Sequence, residues 1–213
     1  IDLIFPNVEL RLDVAAKKGF VNIHLLVCPD KPDHLDQLRK FLSQLSFRAH
    51  ETRYDCTKEG LIELGKRHVS SIQSENAALE EGATQFKVGF DKFRDAYQEI
   101  AWAKENILIA VAGGSGDGTS GLQSAADEVI RQEIEKFAHV IFASSTKQRD
   151  FWLGDGPDEP SKIRARYGGL KPCLHGSDAH KTKDVGEVCE DRFTGIKGSL
   201  TFDALKQACI DPK

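Results

Sequence analysis

Methionine is absent from all 213 residues, and tryptophan occurs only twice. No run of about 18 apolar residues occurs, so no membrane-crossing helix is expected. No charged-then-apolar leader opens the chain, so no secretory signal is expected. The five cysteines (Cys28, Cys56, Cys173, Cys189, Cys209) are odd in number and contain no CxxC pair. That excludes a cysteine zinc ribbon, gives no disulfide framework, and fits a reducing, cytoplasmic setting. Positive charge is not in excess: 29 Lys and Arg face 33 Asp and Glu, a net −4. A strongly basic nucleic-acid scaffold is thereby excluded, although a local basic patch is not. The chain is 40% hydrophobic and 29% charged, which is ordinary globular composition and argues against wholesale disorder. No internal repeat or low-complexity linker occurs, and we expect one domain over residues 1–213. The chain opens at Ile1, inside a strand approach and without an initiating methionine, so we expect a fragment of a larger protein.

What is present alternates strands with helices. Val8–Asp13 alternates apolar and polar residues like a half-buried strand, and Phe20–Val27 reads as its hairpin partner across Lys18-Gly19. The prolines and aspartates of 29–33 open a helix carrying Leu35, Leu38, Leu42 and Leu45. Thr57 starts another helix. Residues 73–90, rich in serine, glutamate and glycine, read as a loop between helices. Phe86, Phe90, Phe93 and Tyr97 then form a helical stripe whose default reading is core packing. Ile107–Ala112 is a continuous apolar run fit for a buried parallel strand. A glycine-rich loop, a helix over Leu122–Phe137, a strand at Val140–Ala143 and a short helix around Trp152 follow. Lys171–His175 is expected to be a strand and Phe193–Lys197 a last one, with Thr201 capping a helix Phe202–Ile210. The pattern predicts an α/β fold with mostly parallel strands, open or closed into a barrel.

In such folds polar groups at the C-terminal strand ends are the ones that converge. Asp178 and His180 follow a strand in Gly176-Ser177-Asp178-Ala179-His180. A carboxylate and an imidazole two residues apart suit zinc, manganese or iron, whereas the bland alternative is a polar turn. Glu9 and His24 lie in the first two strands, where each alone reads as a solvent-facing or structural residue. Jointly with the later DxH they gain weight as ligands. His175 precedes that loop and is placed to orient a ligand. Gly113 to Gly121 has the context of a phosphate cradle, with Ser115 and Asp117 as candidate phosphate contacts, although a flexible active-site loop with Asp117 as ligand or base is the preferred reading. Gly116–Gly121 matches GxGxxG but lacks a Walker lysine, which leaves a nucleotide site as a third option. Arg164, Arg166, Lys171 and Lys181 form a basic cluster in sequence near the DxH loop, read as a solvated face or as phosphate attraction.

The stretches KPCLHGSDAHKTKDVG and RFTGIKGSLTFDALKQA resemble the closing portion of a PHP (polymerase and histidinol phosphatase) domain. The similarity is closest to the PHP domains that open TrlF-like ATPases with an SMC-like coiled coil, and it extends to FPNVELRLD, NIHLLV and FWLGDGP. The resemblance implies a distorted (β/α)7 barrel, lacking its N-terminal segment here, that holds divalent metal ions (Mn, Zn or Fe) at its strand ends. It implies hydrolysis of a phosphomonoester or phosphodiester, with nucleic acid, DNA repair and defence in view, and a C-terminal ATPase domain as a partner. By motif, Glu9 matches the bridging acid, His24 the following histidine, and Asp178 and His180 the last metal motif. Lys181 and His175 join Ser115 and Asp117 as phosphate contacts. Three departures stand beside this: the family's opening HxH is absent, Gly113-Gly114-Ser115 replaces its middle histidine, and Gly195 replaces a larger residue. They keep an inactive scaffold or regulatory domain of a larger ATPase open as the alternative. The expected chemistry is metal-assisted hydrolysis, with Glu9, Asp178 and His180 as the catalytic residues.

Overall fold

The computed structural model describes residues 3–16, 19–113, 127–175, 181–184 and 194–212. In chain order the elements are β1 (Asn7–Ala16), β2 (Gly19–Val27), α1 (His34–Leu42), β3 (Ser46–Ala49), β4 (Thr52–Asp55) and α2 (Lys58–His68). Next come α3 (Glu75–Gln85), α4 (Phe90–Glu99), α5 (Ala101–Asn106), β5 (Ile107–Ala112), α6 (Glu128–Phe137) and β6 (Val140–Phe142). The chain continues with α7 (Thr146–Leu153), α8 (Pro160–Tyr167), β7 (Cys173–Leu174) and α9 (Phe202–Ile210). Two compact units result: Ile1–Glu9 with Val14–Pro29 and Leu108–Lys213, and Leu10–Asp13 with Asp30–Ile107.

The sheet has the order β1-β2-β5-β6-β7. Residues 17–18 alone link β1 to β2, too short for a crossover, so this pair is antiparallel. β5, β6 and β7 run parallel, with Ala112 opposite Phe142 and Phe142 opposite Leu174. The His24 ring meets Phe142, whereas Leu26 and Cys28 share a cluster with Val140 and Leu108. Moving forward along β2 therefore moves backward along β6, and the sheet is mixed. The order is that of an open sheet among the described residues. All six residues of β5, its middle strand, are buried, which explains why that run shows no alternation. Phe202 and Leu205 of α9 close one face over Leu26, Leu108, Ala110 and Val140. The Thr201 hydroxyl accepts from the Ala204 N–H and starts that helix where the sequence predicts it.

In the other unit the Thr57 hydroxyl caps α2 by accepting from the Gly60 N–H. The aromatic stripe is core, as expected: Phe86, Phe90, Phe93 and Tyr97 are all buried. Leu38, Phe41 and Leu45 face inward, while Leu35 is exposed. The expected loop over 73–90 is instead largely helix α3, capped by Ser74. It packs on α2 so closely that a Cβ on Gly65 or Gly82 would lie 1.9 or 1.8 Å from a backbone oxygen of the facing helix. β3 and β4 pair antiparallel, a hairpin the sequence pattern does not reveal. Its turn residues His50 and Glu51 both adopt positive φ, 50° and 62°. In the first unit, residues 194–197 form no regular strand, and residue 193 lies outside the described residues. Their place is set instead by the Thr194 hydroxyl, which donates to the Cys173 carbonyl and accepts from the His175 N–H. No helix among the described residues is long and apolar enough to cross a membrane.

Candidate functional site

The sheet register places Gly113, Ala143 and His175 just past the C-terminal ends of β5, β6 and β7. His24 comes to the same level, because its ring sits 5.0 Å from that of Phe142, at 63°. Alternation along the strands then decides which other side chains join it. On β1 the polar face carries Asn7, Glu9 and Arg11 while Leu10 and Leu12 are buried. On β2 the corresponding face carries Asn22 and His24.

These side chains meet in crossed pairs. The Asn22 amide donates to Glu9 Oε1, and the Asn7 amide lies 3.3 Å from His24 Nδ1. Burial lowers the pKa of the His24 imidazole, and the charge of Glu9 opposes that shift. The two expected ligands on β1 and β2 are therefore within electrostatic reach of each other. Asn22 is 8% exposed, and its Oδ1 is buried with no hydrogen-bond donor among the described residues. A buried amide oxygen left alone is costly, on the order of 1–3 kcal/mol. Such an atom beside a carboxylate calls for a cation or a water molecule.

His175 is fixed more firmly. Its Nδ1 lies 2.6 Å from the Ala143 carbonyl, an acceptor only, so Nδ1 carries the proton and the lone pair resides on Nε2. That is the tautomer of a metal ligand or of a proton acceptor. For His24 to present Nε2 in the same way, the Asn7 amide must turn its oxygen toward Nδ1–H; this rotation retains the pairing.

Carboxylate, imidazole and amide oxygen are each donor types that zinc, manganese or iron accept. Among the described residues, no three His, Cys, Asp or Glu side chains group closely enough to hold a metal. Asp178, His180, Ser115 and Asp117 lie outside the described residues. The metal fit thus rests on Glu9, His24 and the orphaned Asn22 oxygen.

The other expectations divide. Lys181 is exposed. The basic cluster is not one cluster: Lys171 is buried before β7, and its Nζ donates to the carbonyls of Lys136 and Ala138, which precede β6. It therefore belongs to the N-terminal ends of these strands, and burial pushes it down to about 8. Arg166 pairs with Glu128 at 2.7 Å. His139 is structural, as its strand position suggests. Its Nδ1 accepts the Ile109 N–H at 3.0 Å, and burial, then the charges of Lys171 and Lys206, push it down to about 4. Burial pushes the thiols up to about 11 for Cys56, 12 for Cys173 and 11 for Cys209, which makes them inert.

Sequence reasoning missed Asn7 and Asn22. The signal for Asn22 is present: it is polar, two residues from His24, in a strand otherwise apolar on that face. No family model matches this chain, and no match is found among curated proteins or solved structures.

Proposed function

We propose that this chain is a metal-dependent phosphoesterase of the PHP type. The proposed finer fold is the distorted (β/α)7 barrel of that family, in which β1, β2, β5, β6 and β7 would be five of the staves. The observation that carries the reading is the Glu9–Asn22 and His24–Asn7 quartet, level with the C-terminal ends of parallel strands and containing a buried oxygen with no partner among the described residues. Glu9, His24, Asp178 and His180 would hold divalent ions (Mn, Zn or Fe), with Asn22 contributing its oxygen. Such ions supply Lewis acidity to a phosphate and acidify water at neutral pH.

The chain's own groups have definite tasks. Asn22 fixes the Glu9 carboxylate by donating to Oε1, so Glu9 presents its charge in one orientation. Burial keeps His24 neutral at pH 7, and a neutral imidazole is able to ligate. His175, anchored on Ala143, presents Nε2 as a proton acceptor beside the segment that carries Asp178 and His180. Asp178 would hold the attacking water, and His180 would ligate or protonate the leaving oxygen. Ser115, Asp117 and Lys181 would seat the phosphate. In the larger protein this unit would work beside an ATPase domain on a phosphorylated substrate, nucleic acid included. With a net charge of −4, most backbone affinity for a nucleic acid would come from elsewhere in that protein.

A regulatory PHP-like module without activity is the second reading, favoured by Gly113 at the end of β5, where the family has a histidine. The deciding experiment measures metal content by mass spectrometry and Mn-dependent cleavage of bis(p-nitrophenyl) phosphate. Bound metal and turnover, both lost in Glu9→Gln and in D178A/H180A, are expected. Unchanged metal content in D178A/H180A would sink the ligand assignment, and metal without turnover would select the regulatory module.

A further inference from the structure

Strand β7 is two residues long, and the imidazole of His175 stands just beyond its end. The last bond of its ladder with β6 runs from the Ala143 N–H to the Leu174 carbonyl, at 3.0 Å. His175 follows with no strand partner for its backbone. A strand end this short frays unless something else ties it.

Alternation along β7 shows where a tie must act. The carbonyls of Pro172 and Leu174 accept from the N–H groups of Ile141 and Ala143, so the backbone groups of residues 172 and 174 face β6. Those of Cys173 and His175 face the other way. That side is the free edge of the sheet, because β7 is last in the strand order. In a parallel sheet one residue of a further strand would serve this edge. Its N–H would donate to the Cys173 carbonyl, and its carbonyl would accept from the His175 N–H.

The Thr194 hydroxyl does both. It donates to the Cys173 carbonyl at 3.2 Å and accepts from the His175 N–H at 3.1 Å, from a position 19 residues after His175. A hydroxyl can do this through a single atom, whereas a carboxylate only accepts and an ammonium only donates. The consequence falls on the imidazole. His175 Nδ1 lies 2.6 Å from the Ala143 carbonyl, so the ring at the end of β7 is anchored on the end of β6. That anchor needs the His175 backbone to stay in register. Among the described residues, the Thr194 hydroxyl is what holds its N–H. Without it the ring can turn, and either ring nitrogen can carry the proton.

We propose that Thr194 is a positioning residue of the hydrolytic site: its hydroxyl stands in for one residue of an adjoining strand, holds His175 on the Ala143 carbonyl, and so keeps the lone pair on Nε2. The catalytic half of this assignment rests on the phosphoesterase reading, and the geometric half does not.

The test reads the histidine rings of the full chain by ¹⁵N NMR at pH 8 with no metal added; His175→Gln identifies the His175 signals by their loss. In the unsubstituted chain His175 is expected to show one neutral form, with Nδ1 protonated and Nε2 bare. Its backbone amide should exchange about a hundredfold more slowly than an unbonded one. Thr194→Val keeps the shape and removes the hydroxyl. It is expected to leave the circular dichroism spectrum unchanged and to mix the two His175 tautomers. It should also lower kcat for bis(p-nitrophenyl) phosphate about tenfold at an unchanged KM. Thr194→Ser retains the hydroxyl and should restore the single tautomer and bring kcat within about threefold of the original. A tautomer unaltered in Thr194→Val would overturn the positioning role. So would a freely exchanging His175 amide in the unsubstituted chain, a result that needs no variant to fold. Mixed tautomers with unchanged turnover would overturn the catalytic half. Absence of turnover in the unsubstituted chain would sink the phosphoesterase reading and leave the tautomer comparison to decide the geometry.

Discussion

Glu135→Gln is expected to stabilise the protein above neutral pH and to do so much less in acid. The carboxyl is buried on α6, and its pKa rises from 4.5 to about 7, mainly through desolvation. The native state therefore holds its proton more tightly than the unfolded chain. Between pH 4.5 and 7 the native state carries a proton that the unfolded state has lost, so stability falls as pH rises through this window. Below it the group contributes no penalty, and above it the penalty is complete. A displacement of this size corresponds to about 3 kcal/mol at pH 8. Glutamine keeps the shape and removes the charge. Any cost of a buried amide is the same at every pH and cancels in the comparison. Urea unfolding of both proteins, followed by tryptophan fluorescence, gives the difference in stability at pH 5 and at pH 8. The gain from Glu135→Gln should be about 2–3 kcal/mol larger at pH 8. Equal differences at the two pH values would mean that Glu135 titrates normally, and the desolvation argument would fall.

Lys171→Met should lower stability by about 2–4 kcal/mol, because the carbonyls of Lys136 and Ala138 lose their donor at the end of α6; a thermal melt checks it. Gly82→Ala should cost more than about 4 kcal/mol, since its Cβ would sit 1.8 Å from the Leu61 oxygen. Gly89→Ala, with nothing within 4 Å of the added carbon, should change stability by less than about 1 kcal/mol in the same denaturation series. Replacing His50-Glu51 by Asn-Gly should stabilise the β3–β4 hairpin by about 1–2 kcal/mol, as both positions have positive φ; amide exchange of residues 46–55 reports it.

Elements were legible where local chemistry and tertiary packing agree. Thr201 and Thr57 supply a capping hydroxyl at the start of an amphipathic run, and α9 and α2 begin where those residues stand. β5 was legible because six consecutive apolar residues suit only a strand buried on both faces. The β3–β4 hairpin was not, because its turn uses histidine and glutamate at positive φ in place of asparagine and glycine. Helix α3 was hidden for the opposite reason. The serine, glutamate and glycine there look like loop composition, yet the glycine is what a crossing this close to α2 requires. The candidate site follows the same logic. Glu9 and His24 gained meaning from each other, while Glu135 was unreadable, since a glutamate beside Lys136 on a charged helix belongs to solvent by every sequence rule.

The polar quartet marks a change of character along one sheet face. Leu26 on β2 lies under α9 with Leu108, Ala110 and Val140. Two residues earlier the same face carries His24, and two residues before that Asn22, which is buried all the same. A strand that needed only to pack would keep leucine or valine at both places, because each apolar side chain contributes about 1.5–3 kcal/mol on burial. Asparagine and histidine give up that stabilisation, and the Asn22 oxygen has no partner among the described residues besides. On the neighbouring strand Asn7 and Glu9 are exposed, so the cost of burying a polar group falls on Asn22. The two polar pairs stand at the end of the sheet where parallel strands deliver their loops, and of the four side chains only Asn22 is buried, so a test of the proposed site weighs most at that residue.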